Sequence, residues 1–179
     1  MLPIVLIVGS PAAGKSSASR ALAALYPKSI AIRVDEIRDM VVSNLASPSA
    51  EWSPELTEQL QLVRTSVVEM AKTYNAAGFA VVIDDFWDPF TQLNEYDALF
   101  TNSNFRRVLL YPDQEITHAR NLQRSGPGLL QDYLDEGIRI VYADLNRVVG
   151  DLERAGWNVL DTTHDSVEDT AARLYALAA

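Results

Sequence analysis

The stretch GSPAAGKSS, residues 9–17, directly follows the apolar run LPIVLIV at residues 2–8. Gly9 and Gly14 let the backbone turn tightly and point its amides at phosphate oxygens. The Lys15 ammonium can reach the β- and γ-phosphates of a nucleotide, and the Ser16 hydroxyl can bind Mg²⁺. A strand before the loop and a helix after it complete this context, because the helix N-terminus adds positive potential. The stretch therefore predicts a nucleotide-binding loop whose contacting residues are Gly9, Ser10, Pro11, Ala12, Ala13, Gly14, Lys15, Ser16 and Ser17.

Length and composition predict one globular domain over residues 1–179, with 48% hydrophobic and 22% charged residues. The formal net charge of −9 makes a nucleic-acid partner less expected, because proteins that grip phosphate backbones usually carry a basic surface. The chain has no cysteine, which excludes disulfides and thiolate metal sites and fits the reducing cytoplasm, where we expect the protein. The first apolar run is too short for a membrane helix, so no membrane association is expected.

Short apolar runs alternate with longer helical patterns along the chain. The predicted strands cover residues 2–8, 29–34, 79–83, 105–111 and 157–160. The predicted helices cover about 15–25, 54–77, 91–100, 113–124, 130–155 and the stretch after residue 166, with a further helix starting near residue 35. This alternation predicts an α/β fold with an open parallel sheet and right-handed crossovers. The stretch RSGPGLL, residues 124–130, predicts a hinged lid, because two glycines flank a proline between helices.

Two aspartates stand at the end of the third predicted strand, in VVIDDFWD at residues 81–88. An acidic residue at such a strand end completes the Mg²⁺ shell in enzymes with this kind of loop. Adjacent residues of a strand point in opposite directions, so one aspartate can face the metal and the other the substrate. Asp84 fits the metal position better, which leaves Asp85 for the substrate. The alternative is a pair of solvated acids in a turn before Asp88.

A second acidic position follows the second predicted strand, in RVDEIRDM at residues 33–40. The carboxyl ends of parallel strands line the ligand crevice, so Asp35 is expected near the γ-phosphate. A carboxylate there can accept the proton of an attacking hydroxyl, and Arg38 shares its helical face and can bind substrate. The alternative is that Asp35 caps the helix and forms a surface ion pair.

Two arginines precede the predicted hinge, in HARNLQRSGPG at residues 118–128. Arg120 and Arg124 are four residues apart on one helical face, so they can neutralise a transferring phosphoryl group when a lid closes. The alternative is a solvated basic face. Trp87, together with Phe86 and Trp52, can line a pocket for an apolar or aromatic acceptor, although such residues commonly lie in a core.

Together these residues resemble the small kinases of the nucleoside-monophosphate-kinase-like group, and within it the chloramphenicol phosphotransferases. The similarity rests on GSPAAGKSS, on Val34-Asp35, on the IDD at 83–85 and on DTTHDSVEDTA at 161–171. It implies a three-layer P-loop NTPase with a five-stranded parallel sheet in the order 2-3-1-4-5. It also implies ATP and Mg²⁺ as cofactors and a hydroxyl of a small organic molecule as phosphate acceptor. In that family Asp35 falls at the catalytic base, and Lys15 and Ser16 fall at the phosphate and metal contacts.

Two related groups remain as alternatives. In polynucleotide 5′-hydroxyl kinases an arginine follows the base by three positions, which Asp35 and Arg38 match, and Arg124 can match their lid arginine. The zeta-toxin kinases have a similar core, which leaves open a nucleotide-binding module that acts on a protein partner. The segment at residues 86–104 fits neither the chloramphenicol phosphotransferases nor the polynucleotide kinases closely.

Overall fold

A computed structural model describes residues 1–46, 52–91 and 93–179 of the chain. The strands are β1 (Ile4–Val8), β2 (Ser29–Arg33), β3 (Ala80–Asp84), β4 (Phe105–Leu110) and β5 (Asn158–Leu160). The α-helices are α1 (Lys15–Ala24), α2 (Val34–Arg38), α3 (Pro54–Ala76), α4 (Gln114–Ser125), α5 (Leu129–Arg154) and α6 (Val167–Ala178). A 3₁₀ helix at Asn94–Leu99 replaces most of the α-helix predicted over 91–100, a range that includes residue 92, outside the described residues.

All strand pairs of the sheet are parallel, and the strand order is β2-β3-β1-β4-β5. The predicted fold class and strand order are therefore confirmed. The first strand starts at Ile4 rather than at residue 2, and the other boundaries differ from the prediction by at most one residue. The apolar runs were reliable because strands buried on both faces are almost continuously hydrophobic.

The core lies on both faces of the sheet, because successive side chains of each strand point in opposite directions. Ile4, Leu6 and Val8 of β1 belong to a cluster that includes residues of α3 and α5. Val5 and Ile7 belong to a second cluster, with residues of α1 and α6. The sheet is thus the middle of three layers.

The carboxyl ends of the strands carry the residues that the sequence singles out. The loop 9–14 follows β1, Asp35 lies two residues beyond the end of β2, and Asp84 ends β3. Gly9 is required where it stands: a Cβ there would lie 2.6 Å from the carbonyl oxygen of Leu110, at the end of β4. The helices α4 and α5 pack against each other and are joined by residues 126–128 only. No helix within the described residues is long and apolar enough to cross a bilayer.

Candidate active site

In the proposed phosphate-binding loop, residues 9–17, the lysine side chain is hydrogen-bonded to the backbone of the loop itself. Gly14 is the N-cap of α1 and has a φ of 92°, a conformation that glycine adopts without strain. Lys15 is the first residue of α1, and its Nζ donates a hydrogen bond of 2.8 Å to the carbonyl oxygen of Ser10. The loop also contacts the segment that follows β3, since the backbone N–H of Trp87 donates to the carbonyl oxygen of Gly9. Hydrogen bonds from Lys15 and from Trp87 therefore both fix the conformation of the loop.

Four charged side chains surround the Lys15 ammonium closely enough to change its acidity. Burial lowers the pKa of Lys15 below its usual value, and Arg124 acts in the same direction. The carboxylates of Asp84, Asp35 and Asp85 oppose this effect and favour the charged ammonium. The residues that come from β3, α2 and α4 thus converge on the first residue of α1.

Asp84 lies beside β1, paired with Ile7 in the sheet register, and its side chain is 7% exposed. Burial raises the pKa of Asp84, while Lys15, a hydrogen bond with Ser16 and the Arg33 guanidinium act to lower it. The Arg33 Nε lies 3.7 Å from the Asp84 Oδ2. A hydroxyl and a carboxylate in direct contact are oxygen ligands of the kind that Mg²⁺ takes, alongside phosphate oxygens and water. Among the described residues, no cluster of three or more His, Cys, Asp or Glu side chains could hold a metal by itself.

Asp35 and Arg38 lie on the short helix α2, and Asp35 is exposed at the carboxyl edge of the sheet. Both residues act electrostatically on Tyr133 of α5, whose pKa is raised by burial and by Asp35 and lowered by Arg38. The first turns of α5 therefore approach α2. The Arg38 side chain is 12% exposed, its Nη2 lies 3.6 Å from Asp39, and its Nε has no hydrogen-bond partner in the described part of the chain.

The two arginines of α4 reach different parts of the site. Arg124 is near Lys15, as its effect on the lysine pKa indicates. Arg120 instead donates hydrogen bonds of 3.0 and 3.3 Å to the carbonyl oxygens of Thr162 and Thr163. It lines a cavity of about 290 Å³ whose other walls include Gly14 and Ser17. Arg120 thus lies on the side of the loop away from Asp35 and Arg38.

The motif DTTH, residues 161–164, contributes Thr162 to the lining of that cavity, a role that the sequence alone did not suggest. Thr162 lines it, is 2% exposed, and its Oγ1 has no partner among the described residues. Thr163 accepts a hydrogen bond from the backbone N–H of Asp113 at the start of α4. Asp161 accepts from the backbone N–H of Thr163, which shapes the turn. Arg173 of α6 donates to the carbonyl oxygen of Asp161, so the motif connects the end of β5 to both α4 and α6.

The structure places Asp85 and Trp87, which the sequence analysis assigned to substrate, among buried partners. Both oxygens of Asp85 are occupied: Oδ2 accepts from Arg64 and Tyr96, and Oδ1 accepts from the backbone N–H of Phe86. Trp87 is 1% exposed, packs edge-to-face on Trp157 and donates to Asp144 at 2.8 Å. Strand alternation explains Asp85, since its neighbour Asp84 already faces the loop.

Sequence reasoning missed Arg64 of α3, the main partner of Asp85. Its side chain has no exposed surface. The helical periodicity of the sequence could have indicated that Arg64 is buried. It lies four residues after Leu60 and four before Val68, which are both buried. A charged residue at a buried position of an amphipathic helix indicates a buried partner.

The fold and the loop define the class of this protein: a P-loop domain with the sheet topology of small kinases. The sequence profile of the AAA domain family AAA_33 matches residues 4–137. The chain therefore belongs to that family. A comparison with curated protein sequences gives no match.

Three solved structures illustrate the fold similarity. The tunicamycin resistance protein of Deinococcus radiodurans has a TM-score of 0.70 and 16% identity, covering 99% of this chain and 95% of its own. A sugar kinase from Janibacter sp. HTCC2649 has a TM-score of 0.67 and 15% identity, covering 98% and 94%. The shikimate kinase of Acinetobacter baumannii, in complex with shikimate, has a TM-score of 0.67 and 20% identity, covering 99% and 93%. At these identities the similarity shows the fold.

Proposed function

We propose that this protein is an ATP- and Mg²⁺-dependent phosphotransferase that phosphorylates a hydroxyl group of a small organic molecule. One observation carries the proposal: Asp35, Asp84 and the loop with Lys15 lie at the carboxyl ends of the neighbouring strands β2, β3 and β1. In agreement with this placement, Asp84, Asp35 and Arg124 each affect the pKa of Lys15. Phosphoryl transfer needs little covalent chemistry from the protein, and positioning and charge neutralisation supply most of the catalysis.

The donor side of the proposed site consists of the phosphate-binding loop and the cavity beside it. The loop amides and Lys15 bind the phosphates, while the cavity lined by Arg120 and Thr162 accepts the nucleoside. Ser16 and Asp84 fit a Mg²⁺ ion, which when bound neutralises charge on the β- and γ-phosphates. Burial raises the pKa of Asp84, so a bound cation would offset the cost of burying its charged form.

On the acceptor side, Asp35 accepts the proton of the attacking hydroxyl and orients it in line with the γ-phosphate. Its exposure at the carboxyl edge of the sheet leaves it accessible to a bound alcohol. Arg124 is the arginine of α4 that lies near Lys15, so it stabilises the transferring group. We propose that residues 124–130 act as the lid that carries this arginine over the site.

The acceptor class distinguishes the proposal from its main alternative. The resemblance to chloramphenicol phosphotransferases favours a small alcohol, as does the net charge of −9. A 5′-hydroxyl kinase of nucleotides or nucleic-acid ends is the second candidate. Arg38 favours it, because its buried Nε has no hydrogen-bond partner among the described residues and it lies on the same short helix as Asp35.

An acceptor screen separates these two functions. ADP release from Mg·ATP is measured with small alcohols, antibiotics and nucleosides and, separately, with a 5′-hydroxyl oligonucleotide, with Asp35→Asn as the blank. The proposal predicts that small alcohols stimulate ADP release, and that moderate salt changes their turnover little. Preferential turnover of the oligonucleotide, falling steeply as salt rises, would replace the proposal with the second candidate.

A further inference from the structure

Arg64 is a fully buried guanidinium that binds two aspartates at once. Its Nε donates to Asp85 at 2.8 Å, and its Nη1 donates to Asp88 at 2.8 Å and to Thr91 at 3.0 Å. The Tyr96 hydroxyl adds a hydrogen bond of 2.9 Å to Asp85. Arg64 lies on α3, Asp85, Asp88 and Thr91 lie in the segment that follows β3, and Tyr96 lies on the 3₁₀ helix.

This cluster is poorly suited to stability alone. Burying an ion pair costs about as much desolvation energy as its attraction returns, so a well-packed apolar group of similar volume is often as stable. The Nη2 of Arg64 and the Oε2 of Glu95 are also buried with no hydrogen-bond partner among the described residues, which destabilises the folded state, although Glu95 Oε2 lies 3.9 Å from the Nη1 of Arg64. The geometry that the cluster imposes is therefore the better explanation of its presence.

The geometry it imposes is that of residues 85–91, which follow β3 without regular secondary structure. The second oxygen of Asp85 accepts a hydrogen bond from the backbone N–H of Phe86. The second oxygen of Asp88 accepts from the backbone N–H groups of Phe90 and Thr91. Each carboxylate thus connects Arg64 to the backbone of an aromatic residue.

Those two aromatic residues and Trp52 form one cluster, which we name the aromatic surface. The ring centroids of Trp52 and Phe90 are 4.6 Å apart, and those of Trp52 and Phe86 are 6.4 Å apart. Phe90 is 61% exposed, and the Arg64 guanidinium carbon lies 5.1 Å from the centre of the Phe86 ring. The surface begins two residues after Asp84, at the edge of the sheet where ligands of open α/β folds bind.

We propose that Arg64 is a positioning residue for the acceptor: through Asp85 and Asp88 it fixes residues 85–91, so that Phe86 and Phe90, with Trp52, bind the flat apolar part of an aryl-substituted alcohol. This inference rests on the proposed phosphotransferase function and specifies its substrate class. The occupant is a small molecule because the surface follows directly from the strand that carries Asp84. Stacking on such rings raises affinity by about fivefold per ring pair beyond the effect of the buried area.

The test measures binding, so that it does not depend on turnover. Aryl-substituted alcohols, each paired with an alkyl alcohol of equal carbon number, are titrated into the protein saturated with Mg·ADP, by calorimetry and by tryptophan fluorescence. Each aryl alcohol is expected to bind about fivefold to tenfold more tightly than its alkyl partner. Phe90→Ala should abolish the preference. Phe100→Ala is the matched control, because Phe100 is 50% exposed, follows the 3₁₀ helix and packs on Phe105.

The role of Arg64 needs variants that keep a buried positive charge or remove only one hydrogen bond. Arg64→Met leaves two buried carboxylates without a counter-ion and can fail to fold. Arg64→Lys and Tyr96→Phe avoid this, and each is expected to weaken aryl binding by about threefold or more while leaving Mg·ADP affinity within about twofold. A purely structural role would lower the unfolding midpoint and leave aryl affinity in the folded protein unchanged, which would overturn the proposal.

The two proposals fail in different ways. If aryl and alkyl alcohols bind equally, if none binds, or if Phe90→Ala behaves like Phe100→Ala, the aromatic surface is not an acceptor site. If aryl alcohols bind but none is phosphorylated from Mg·ATP, the surface stands and the phosphotransferase function fails.

Discussion

The donor and acceptor halves of the site are constructed in different ways. The proposed donor half is local: it is one continuous loop, residues 9–17, in which Lys15 donates to the carbonyl oxygen of Ser10, only five residues away. The acceptor half is assembled over distance, because Arg64 binds Asp85 and Asp88, 21 and 24 residues further along the chain. A local loop is recognisable as a motif, whereas a long-range ion cluster is recognisable only once the fold has brought its members together.

Substitutions in the two halves are therefore expected to have different effects. Changes in the donor half should remove nucleotide-dependent chemistry and leave the fold in place, because the loop lies at the end of an intact strand. Changes in the acceptor half should alter which alcohol is used.

The largest effect is expected from Lys15→Met, which removes the ammonium nearest the phosphates. We expect kcat/KM to fall by roughly 10³-fold and Mg·ATP affinity to fall with it, since the charge acts on bound substrate and on the transition state. Steady-state kinetics and calorimetry measure the two changes. Lys28→Met is the control, because Lys28 is an exposed residue that lies over Phe79 and donates to the carbonyl oxygen of Ala77. Equal losses in both variants would contradict the role of Lys15.

Asp84→Asn is expected to lower turnover by about 10²-fold and to raise the Mg²⁺ concentration needed for half-maximal activity. The same change should raise the thermal midpoint of the nucleotide-free protein. The sign follows from linkage: the folded-state pKa of Asp84 is raised, so its ionised form costs stability as pH rises through that value. Calorimetric melting with and without Mg·ADP tests both halves of this prediction, and a lower midpoint for the nucleotide-free variant would contradict it.

Most of the fold could be predicted from the sequence, as could the positions of the proposed donor residues at the carboxyl ends of the strands. The apolar runs gave the five strands within two residues, and GSPAAGKSS and IDD carried Lys15, Ser16 and Asp84. The orientation of single side chains could not be predicted in the same way. Trp87 is buried in the core because its ring packs on Trp157 and its Nε1–H donates to Asp144, and both of these residues lie far along the chain.

The contacts of the two α4 arginines could not be predicted from the sequence either. Their spacing placed Arg120 and Arg124 on one helical face, but it could not show that β5 ends beside that face. Arg120 is held there by the carbonyl groups of Thr162 and Thr163, which a helical pattern does not reveal.

The smallest effect is expected at the junction of α4 and α5, where Asp135 contacts His118 and Asn121. These hydrogen bonds lower the pKa of Asp135, the contact with His118 most strongly. Its contribution to stability is therefore present above the usual aspartate value of about 4 and is lost as pH falls through the lower folded-state value. Asp135→Asn should reduce the urea midpoint slightly at neutral pH and not at about pH 2. Asp132→Asn, at an exposed position of the same helix, is the control; a deficit that persists in acid would contradict the prediction.

The central claim is that Asp35 activates an alcohol in front of a bound nucleotide. The most direct test is transfer of ³²P from γ-labelled ATP to the panel of alcohols by wild type, Asp35→Asn and Asp39→Asn. Asp39 is the matched control, since it is the exposed aspartate that directly follows the same helix. We predict a labelled organic phosphate with wild type and Asp39→Asn, and at least ~10²-fold less with Asp35→Asn at unchanged Mg·ATP affinity. Equal labelling by Asp35→Asn, or no labelled alcohol with any protein, would contradict the account.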